Sequence, residues 1–251
     1  MIVVTARILN ESELLPVFLE NYKFADYIIL ADGGSTDNSK RIAQSFDTPS
    51  DIFWYDFPVK VPGKNGGWRN PEGQHVKFAL EHAESFNPDW IWFTEIDAIP
   101  NLNFQRDIKE ILASADNQGI DFINSWLCYV APGSKEHYPA TMQGVGYTAW
   151  KSGKWTVTNV DDPFEGQGSL HISGNKPLDL GKEYSRIHLT FESEELIAKK
   201  SKFYAEVHDL NLGSPDSRCG PKEALPEWAT WRDPRNRCCG YGGYKHLGCE
   251  Q

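Results

Sequence analysis

The segment Trp90–Pro100 (WIWFTEIDAIP) constrains the fold and chemistry of this chain more than any other stretch of its sequence. Its aromatic and apolar start predicts a buried strand. Glu95 and Asp97 follow two residues apart, and such side chains on an extended segment point the same way. The two carboxylates are therefore expected to converge where the strand leaves the core. Such a pair suits a hard divalent cation, although a solvated acidic turn after a strand has the same pattern.

A second strand end is also acidic. The apolar run Tyr27–Ala31 predicts a strand of a parallel sheet, and the turn Asp32–Ser39 (DGGSTDNS) follows it. Ser35 or Thr36 is expected to cap the next helix. Ligands of open α/β sheets bind beyond the carboxyl ends of the strands, so this turn is expected on the same edge as the first.

The N-terminus supplies a third strand end. Ile2–Thr5 predicts a strand, and Ala6–Glu11 forms the turn after it. Asn10 or Ser12 is expected to cap the following helix, in which Pro16 falls in the first turn, where a missing N–H costs little.

Four segments in order resemble the motifs of family 2 type glycosyltransferases with the GT-A fold. They are Thr5–Glu11, Ala31–Asp37, Gly67–Asn70 and Thr94–Asp97. The resemblance covers about residues 1–115 well and about 116–205 loosely. It implies an α/β fold of the GT-A (Rossmann-like) type, with a mixed, mostly parallel central sheet flanked by helices.

The resemblance also implies an activity: transfer of a sugar from a nucleotide-diphosphate donor, UDP- or GDP-linked, to a hydroxyl of a glycan or other acceptor, with inversion and with Mn²⁺ or Mg²⁺. Glu95 stands where the family usually has the first Asp of an Asp-x-Asp motif. Asp97 is therefore the expected metal ligand, and Glu95 either joins it or holds ribose or water. The Gln-x-x-Arg-Trp motif of processive synthases is absent.

The polar turns at the strand ends are the predicted binding site of the nucleotide. Arg69 follows Lys64 in a Gly-rich loop before a helix, and cations beside a helix N-terminus form an anion site, so Arg69 is predicted to contact pyrophosphate or base. An exposed loop arginine has the same pattern. The other residues expected at the nucleotide are Ala6, Arg7, Asn10, Glu11, Asp32 and Glu95.

A third protein ligand is expected because two carboxylates and a diphosphate rarely complete six-fold coordination. Ile187–Phe191 reads as a strand, and Ser193 then caps a helix that ends in lysines. This resembles a late GT-A segment whose histidine closes the metal site, which assigns that role to His188. A structural histidine is the alternative, and His171 is a weaker candidate ligand.

An inverting transferase needs a carboxylate to deprotonate the acceptor hydroxyl. The candidates are Asp161, Asp162, Glu165 and Glu192, of which Asp162 and Glu165 are the predicted catalytic residues. An aromatic cluster precedes them, and its rings either stack on sugar faces in an acceptor cleft or belong to the core. Its members are Trp126, Tyr129, Tyr138, Tyr147, Trp150 and Trp155.

The sequence changes character at about residue 211, which predicts a GT-A domain over 1–210 and a Pro/Cys-rich extension over 211–251. The extension contains Cys219, Cys238, Cys239 and Cys249. Zinc binding, disulfides and free thiols are all compatible with that spacing. The Arg-rich segment Trp231–Arg237 either forms a lid over the nucleotide or packs on the outside of the domain.

Composition narrows the function classes. The 251 residues carry a net charge of −10, which argues against nucleic acid and anionic membrane as partners. No run approaches 18 apolar residues and the first strand begins at residue 2, so neither a membrane span nor a signal peptide is expected, and a cytoplasmic location follows. A nucleotidyltransferase and a non-catalytic sugar-binding protein are the alternative functions.

Overall fold

The structure is a computed structural model. It describes residues 1–62, 68–130, 136–138, 146–158, 160, 170–174, 176–189, 195–199, 201–202, 223–224, 227 and 229–234. Several predicted residues lie outside this part of the chain: Lys64, Asp161, Asp162, Glu165, Glu192, Cys219, Cys238, Cys239 and Cys249. Most of the predicted extension lies outside it too, so the boundary at residue 210 stays a prediction.

Helices and strands alternate over the first hundred residues and strands dominate afterwards. The helices are α1 (Leu15–Asn21), α2 (Ser39–Ser45), α3 (Glu72–Glu84) and α4 (Leu102–Asn117). The strands are β1 (Ile2–Ile8), β2 (Tyr27–Asp32), β3 (Asp51–Asp56), β4 (Val61–Pro62), β5 (Trp68–Arg69), β6 (Trp90–Glu95), β7 (Ala98–Pro100), β8 (Phe122–Val130), β9 (Glu136–Tyr138), β10 (Gly146–Lys151), β11 (Trp155–Val157), β12 (Leu170–Ile172), β13 (Pro177–Asp179), β14 (Ser185–His188) and β15 (Glu223–Ala224).

The main sheet has the strand order β15-β9-β8-β10-β6-β1-β2-β3. Strands β3, β2, β1 and β6 run parallel, whereas β10 is antiparallel to both β6 and β8. The chain builds outward from β1 to β3 and then returns to place β6 on the other side of β1. The carboxyl ends of β1 and β6 therefore flank a topological switch point, the place where open α/β sheets bind ligands. The predicted mixed, mostly parallel sheet is confirmed.

The parallel strands are covered on both faces, as their nearly continuous apolar sequences predict. Successive side chains of a strand alternate between the faces, so each strand contributes to two cores. Helix α3 packs on one face, against Val3, Ile29, Ala31, Ile91 and Phe93. Helices α1, α2 and α4 pack on the other, against Val4, Ala6, Ile28, Leu30, Trp90 and Trp92.

The predicted caps of α1 and α2 were wrong, and Ser193, the third predicted cap, lies outside the described residues. Helix α1 begins after Leu14 and α2 after Asn38, and neither residue makes a side-chain cap hydrogen bond. Instead, Asn10 has φ of 55° and its Oδ1 accepts the Thr36 amide at 2.7 Å. Ser35 Oγ accepts the Asn10 amide at 2.8 Å. These polar side chains bond across to the neighbouring turn because two strand ends lie side by side, a contact that local sequence does not reveal. Pro16 does lie in the first turn of α1.

Strand β14 connects the two halves of the sheet. It runs parallel to β8 and antiparallel to β7, so that His188 pairs with Tyr129 on one side and Ala98 on the other. The short strand β7 comes directly after the acidic turn. This pairing carries residue 188 to within reach of residues 95–97, although more than ninety residues of sequence separate them.

A short piece of the predicted extension packs into the main domain. Ala229 and Trp231 belong to the same buried core as α1 and α4. Asn21, which is fully buried at the end of α1, donates to the Arg232 carbonyl at 2.6 Å and accepts the Arg232 amide at 2.9 Å. The Leu102 amide donates to the Thr230 carbonyl at 2.9 Å. We call residues 229–233 the strap.

No helix of the described residues is long and apolar enough to cross a bilayer.

The Asn21 side chain is saturated with hydrogen bonds. Besides both bonds to Arg232, it donates to the Val17 carbonyl and accepts from Gln105 Nε2. We expect Asn21→Leu to lower the free energy of unfolding by about 2–4 kcal/mol, because buried strap and helix groups lose their partners. Urea denaturation measures this. Gln118→Ala is the matched control: it removes one exposed hydrogen bond, to Ser114, and is expected to cost less than about 0.5 kcal/mol. Equal costs for the two variants would contradict the prediction.

Candidate active site

Three of the predicted residues converge at the switch point. One ligand atom from each of Glu95, Asp97 and His188 lies within 4.8 Å of the others. His188 Nε2 is 3.3 Å from Glu95 Oε2 and 3.7 Å from Asp97 Oδ1. Glu95 ends β6, Asp97 lies in the turn before β7, and His188 ends β14. The sequence predicted the carboxylate pair from its spacing, whereas the histidine is brought in by the pairing of β14 with β7.

The three side chains of the cluster differ in exposure. The side chains of Asp97 and His188 are 4% and 9% exposed, whereas that of Glu95 is 42% exposed. Burial and the charge of Asp97 favour the protonated form of Glu95. The hydrogen bond and charge of His188 and the charge of Arg7 outweigh them, so the pKa of Glu95 is held well below its usual range. The limited burial of Glu95 weakens the opposing effect further. Glu95 is therefore ionised and accessible.

The donor set fits a divalent cation. Two carboxylate oxygens suit Mg²⁺ or Mn²⁺, and an imidazole nitrogen suits transition metals better than Mg²⁺. The His188 ring also stacks on Tyr129, with ring centroids 4.7 Å apart and an interplanar angle of 29°. Tyr129 was one of the aromatic residues considered for an acceptor cleft. Here its ring packs against the imidazole.

Arg7 adds a positive charge beside this cluster. In the strand register it lies between Ala31 of β2 and Glu95 of β6. Thr5, two residues earlier, donates to the Ala79 carbonyl of α3, so Arg7 lies on the α3 face. Ala6 faces the opposite way and is buried in the core, which leaves only its backbone for a ligand. A guanidinium here suits an anionic ligand group at the sheet edge.

The turn after β2 is tightly ordered. The Asp32 carboxylate, 4% exposed, accepts the Ser35 amide at 2.9 Å and the Ser35 hydroxyl at 2.5 Å. The Glu11 amide donates to Ser39 Oγ at 3.1 Å, which joins the first two strand-end turns. Asp32 thus has a clear structural task, and any bond to a nucleotide would use its remaining lone pairs.

A close side-chain contact accompanies this turn. A Cβ atom on Gly33 would lie 2.1 Å from Asn70 Oδ1, so a larger residue there would require the Asn70 side chain to move. Arg69, beside Asn70 on β5, is 4% exposed, which differs from an exposed loop arginine. The loop before α3 therefore packs against the Asp32 turn, which brings the second and third predicted nucleotide segments together.

His75 of α3 supports the same turn from below. Its Nε2 lies 2.9 Å from the Ala31 carbonyl, and its ring stacks on Phe57 at 4.5 Å with an interplanar angle of 7°. Burial, aided by the charge of Arg7, lowers the pKa of His75 to about 3. The imidazole is therefore neutral and donates its proton to the carbonyl.

Some predicted residues lie elsewhere. His171 is exposed on β12 with its Nε2 3.1 Å from Thr158 Oγ1, outside the cluster. Trp150 is a core residue of β10. Conversely, sequence reasoning missed Tyr22 and Arg186, which lie close to the acidic turn. A tyrosine in the apolar stripe of a helix and a strand arginine gave no signal beyond that of ordinary packing.

No protein-family model and no curated protein matches this sequence. Solved structures do match. A structure of S. aureus TarS aligns with 83% of this chain at 12% identity and a TM-score of 0.52, and the aligned part covers 40% of the TarS chain. A structure of S. aureus TarS 1-349 in complex with UDP aligns with 86% of this chain at 14% identity and a TM-score of 0.50, covering 73% of that chain.

A structure of glucosyl-3-phosphoglycerate synthase from Mycobacterium tuberculosis aligns with 90% of this chain and 87% of its own, at 16% identity and a TM-score of 0.44. At such identities the TarS likeness shows the fold alone, and that fold is the GT-A fold indicated by the sequence motifs. The chain spans less than half of the first TarS chain.

Stability should depend on pH through His75. Its pKa is about 3 in the folded protein and about 6.5 when unfolded, so between these values the unfolded state binds more protons. The contribution of His75 to the free energy of unfolding is fully present above about pH 6.5. It falls as the pH drops, by about 2 kcal/mol at pH 5. Urea denaturation of wild type and His75→Gln at pH 7.5 and 5 measures the difference. An equal loss of stability in both proteins would contradict the assignment.

Proposed function

We propose that this chain is a metal-dependent glycosyltransferase that moves a sugar from a nucleotide-diphosphate donor to an acceptor hydroxyl. The observation that carries this proposal is the convergence of Glu95, Asp97 and His188 at the switch point of a GT-A fold. Two buried ligands and one accessible carboxylate are arranged around one point. An acidic turn without a function would have no need of the buried imidazole.

Asp97 and His188 are the proposed protein ligands of the metal, with Glu95 as a third ligand or as the residue that holds ribose or water. The mixed oxygen and nitrogen set favours Mn²⁺ over Mg²⁺. A divalent ion bound there would supply positive charge to the diphosphate leaving group. Arg7, beside Glu95 in the register, adds a cation on the same edge. His188 must be neutral at Nε2 to bind a cation.

The donor is proposed to be a UDP-sugar. The TarS 1-349 structure of the same fold holds UDP, which supports uridine over guanosine. The proposed nucleotide residues are Arg7, Asn10, Glu11, Asp32 and Arg69, with the backbone of Ala6. The joined turns support this grouping, since Asn10 and Glu11 are bonded to Ser35 and Ser39 beside Asp32. A nucleotide base is proposed to lie against them.

The base that deprotonates the acceptor is proposed to be Asp162 or Glu165. Both lie outside the described residues, and sequence position supports them: they fall between the aromatic cluster and His188. Inversion at the anomeric carbon follows from the family resemblance. Asp162→Asn and Glu165→Gln should separate the two, because the true base should lose turnover while its variant still binds UDP and Mn²⁺.

The direct test is calorimetry with UDP and GDP, each with and without Mn²⁺, followed by an assay of UDP release from a panel of UDP-sugars. The proposal expects that Mn²⁺ tightens UDP binding and that release of UDP from the UDP-sugar requires the metal. A preference for nucleoside triphosphates would favour a nucleotidyltransferase. Glycan binding without any nucleotide binding would favour a sugar-binding protein.

Asp97 gives the sharpest prediction on the metal. Asp97→Asn should abolish Mn²⁺-dependent turnover while the protein stays folded, because the residue lies in a turn at the edge of the sheet. Glu95→Asp, which restores the family's usual motif, should stay within about tenfold of wild type, or roughly 1.4 kcal/mol of barrier. Turnover and circular dichroism measure the two effects. Full activity in Asp97→Asn would show that the metal site is elsewhere.

Asp32 has a matched control in its own partner. If its carboxylate contacts the nucleotide, Asp32→Ala should weaken UDP binding by about 1–3 kcal/mol, the range for a hydrogen bond to a charged group. Ser35→Ala removes the turn's hydroxyl bond but keeps the carboxylate, so it should weaken binding far less. Calorimetry compares the two variants. Equal losses would mean that Asp32 acts only by shaping the turn.

A further inference from the structure

The acidic turn is held by its backbone from two sides. Asp97 and Ala98 follow one another in the chain, and each of their carbonyls accepts a hydrogen bond from a different element. The Leu189 amide, just after β14, donates to the Asp97 carbonyl at 2.7 Å. The Tyr22 hydroxyl, just after α1, donates to the Ala98 carbonyl at 2.8 Å. The peptide planes that follow Asp97 are therefore fixed in orientation.

Tyr22 is a fully buried residue with a directed polar group. Its ring packs on Phe18 at 4.5 Å and meets Trp92 edge-on at 5.6 Å. Its hydroxyl oxygen lies 3.2 Å from Thr94 Oγ1, which itself donates to the Ala98 carbonyl at 3.0 Å. Burial raises the pKa of the Tyr22 hydroxyl well above its usual value, so it stays protonated as a donor. Ala98 thus receives two hydroxyl hydrogen bonds.

We propose that Tyr22 is a positioning residue for the metal site, which it sets by holding the Ala98 carbonyl and so the backbone that carries Asp97. This inference rests on the proposed function. Asp97 has one short side chain, so the direction of its carboxylate follows its backbone closely. Removing a hydrogen bond that orients a metal ligand commonly changes metal affinity by about 10- to 100-fold.

The packing around Tyr22 explains why the hydroxyl matters separately from the ring. Phe18, Phe24 and Trp92 pack around the ring, with centroids 4.5, 5.6 and 5.6 Å from it, so Tyr22→Phe preserves the packed shape. What is lost is one donor to a buried carbonyl, while the Thr94 bond remains. The turn is then held less tightly at Ala98, and the Asp97 carboxylate samples directions in which it cannot share a cation with His188.

The test is a titration of Mn²⁺ alone into wild type, Tyr22→Phe, Thr94→Val and Val17→Ala. Electron paramagnetic resonance measures the concentration of free Mn²⁺ at each step. We expect about tenfold weaker Mn²⁺ binding for Tyr22→Phe and a similar loss for Thr94→Val, which removes the second hydroxyl. Val17→Ala is the matched control, since it removes buried apolar side-chain volume from the same helix but no hydrogen-bonding group. It should lose stability and keep wild-type Mn²⁺ affinity.

The outcomes separate this inference from the proposed function. If wild type binds Mn²⁺ and the dissociation constant of Tyr22→Phe lies within twofold of the wild-type value, only the positioning role is overturned. Equal losses in Tyr22→Phe and Val17→Ala also overturn it, because general loosening of α1 would then suffice. Wild type that binds no Mn²⁺ overturns both the proposed metal site and this inference. If Tyr22→Phe does not fold, Thr94→Val decides by the same comparison.

Discussion

The parallel pairing of β1 with β2 on one side and β6 on the other is the constraint on which the candidate site depends. That register places Arg7 beside both Ala31 and Glu95, and Ile8 beside Asp32. A slip of one residue would turn Arg7 into the α1 core and bring Ala6 to the α3 face. The apolar side chains that alternate between the two cores hold the register, so packing far from the edge decides which polar groups meet at it.

The parallel half of the fold and two of the three clustered residues could be predicted from sequence, for a physical reason. Strand–turn–helix units are local, and the two-residue spacing of Glu95 and Asp97 predicted that they converge, although Asp97 lies in the turn after β6. His188 needed the family resemblance, because the pairing of β14 with β7 joins distant parts of the chain. The caps failed for a related reason: Asn10 and Ser35 bond to each other's turns, which no local pattern encodes.

Two buried histidines near this edge, His75 and His188, have different roles because their surroundings differ. His75 is buried against an aromatic ring and near the Arg7 cation, and burial and that charge together outweigh the hydrogen bond to the Ala31 carbonyl, so its pKa is lowered and its ring is neutral. His188 faces two carboxylates, whose negative charges favour a bound cation at this position. His75 and His188 are the same residue type, and their neighbours in space distinguish them.

The strap has a consequence for the order in which the chain can mature during synthesis. Asn21 and Arg232 are 211 residues apart, yet they share two hydrogen bonds inside the core. The ribosome synthesises the chain from its N-terminus, so the end of α1 leaves the exit tunnel long before Arg232 is added to the chain. Until residues 229–233 emerge, the Asn21 amide and the start of α4 lack their strap contacts. Completion of the core around α1 and α4 is thus a late event in the emergence of the chain, and a chain that stops before the strap would leave that core open.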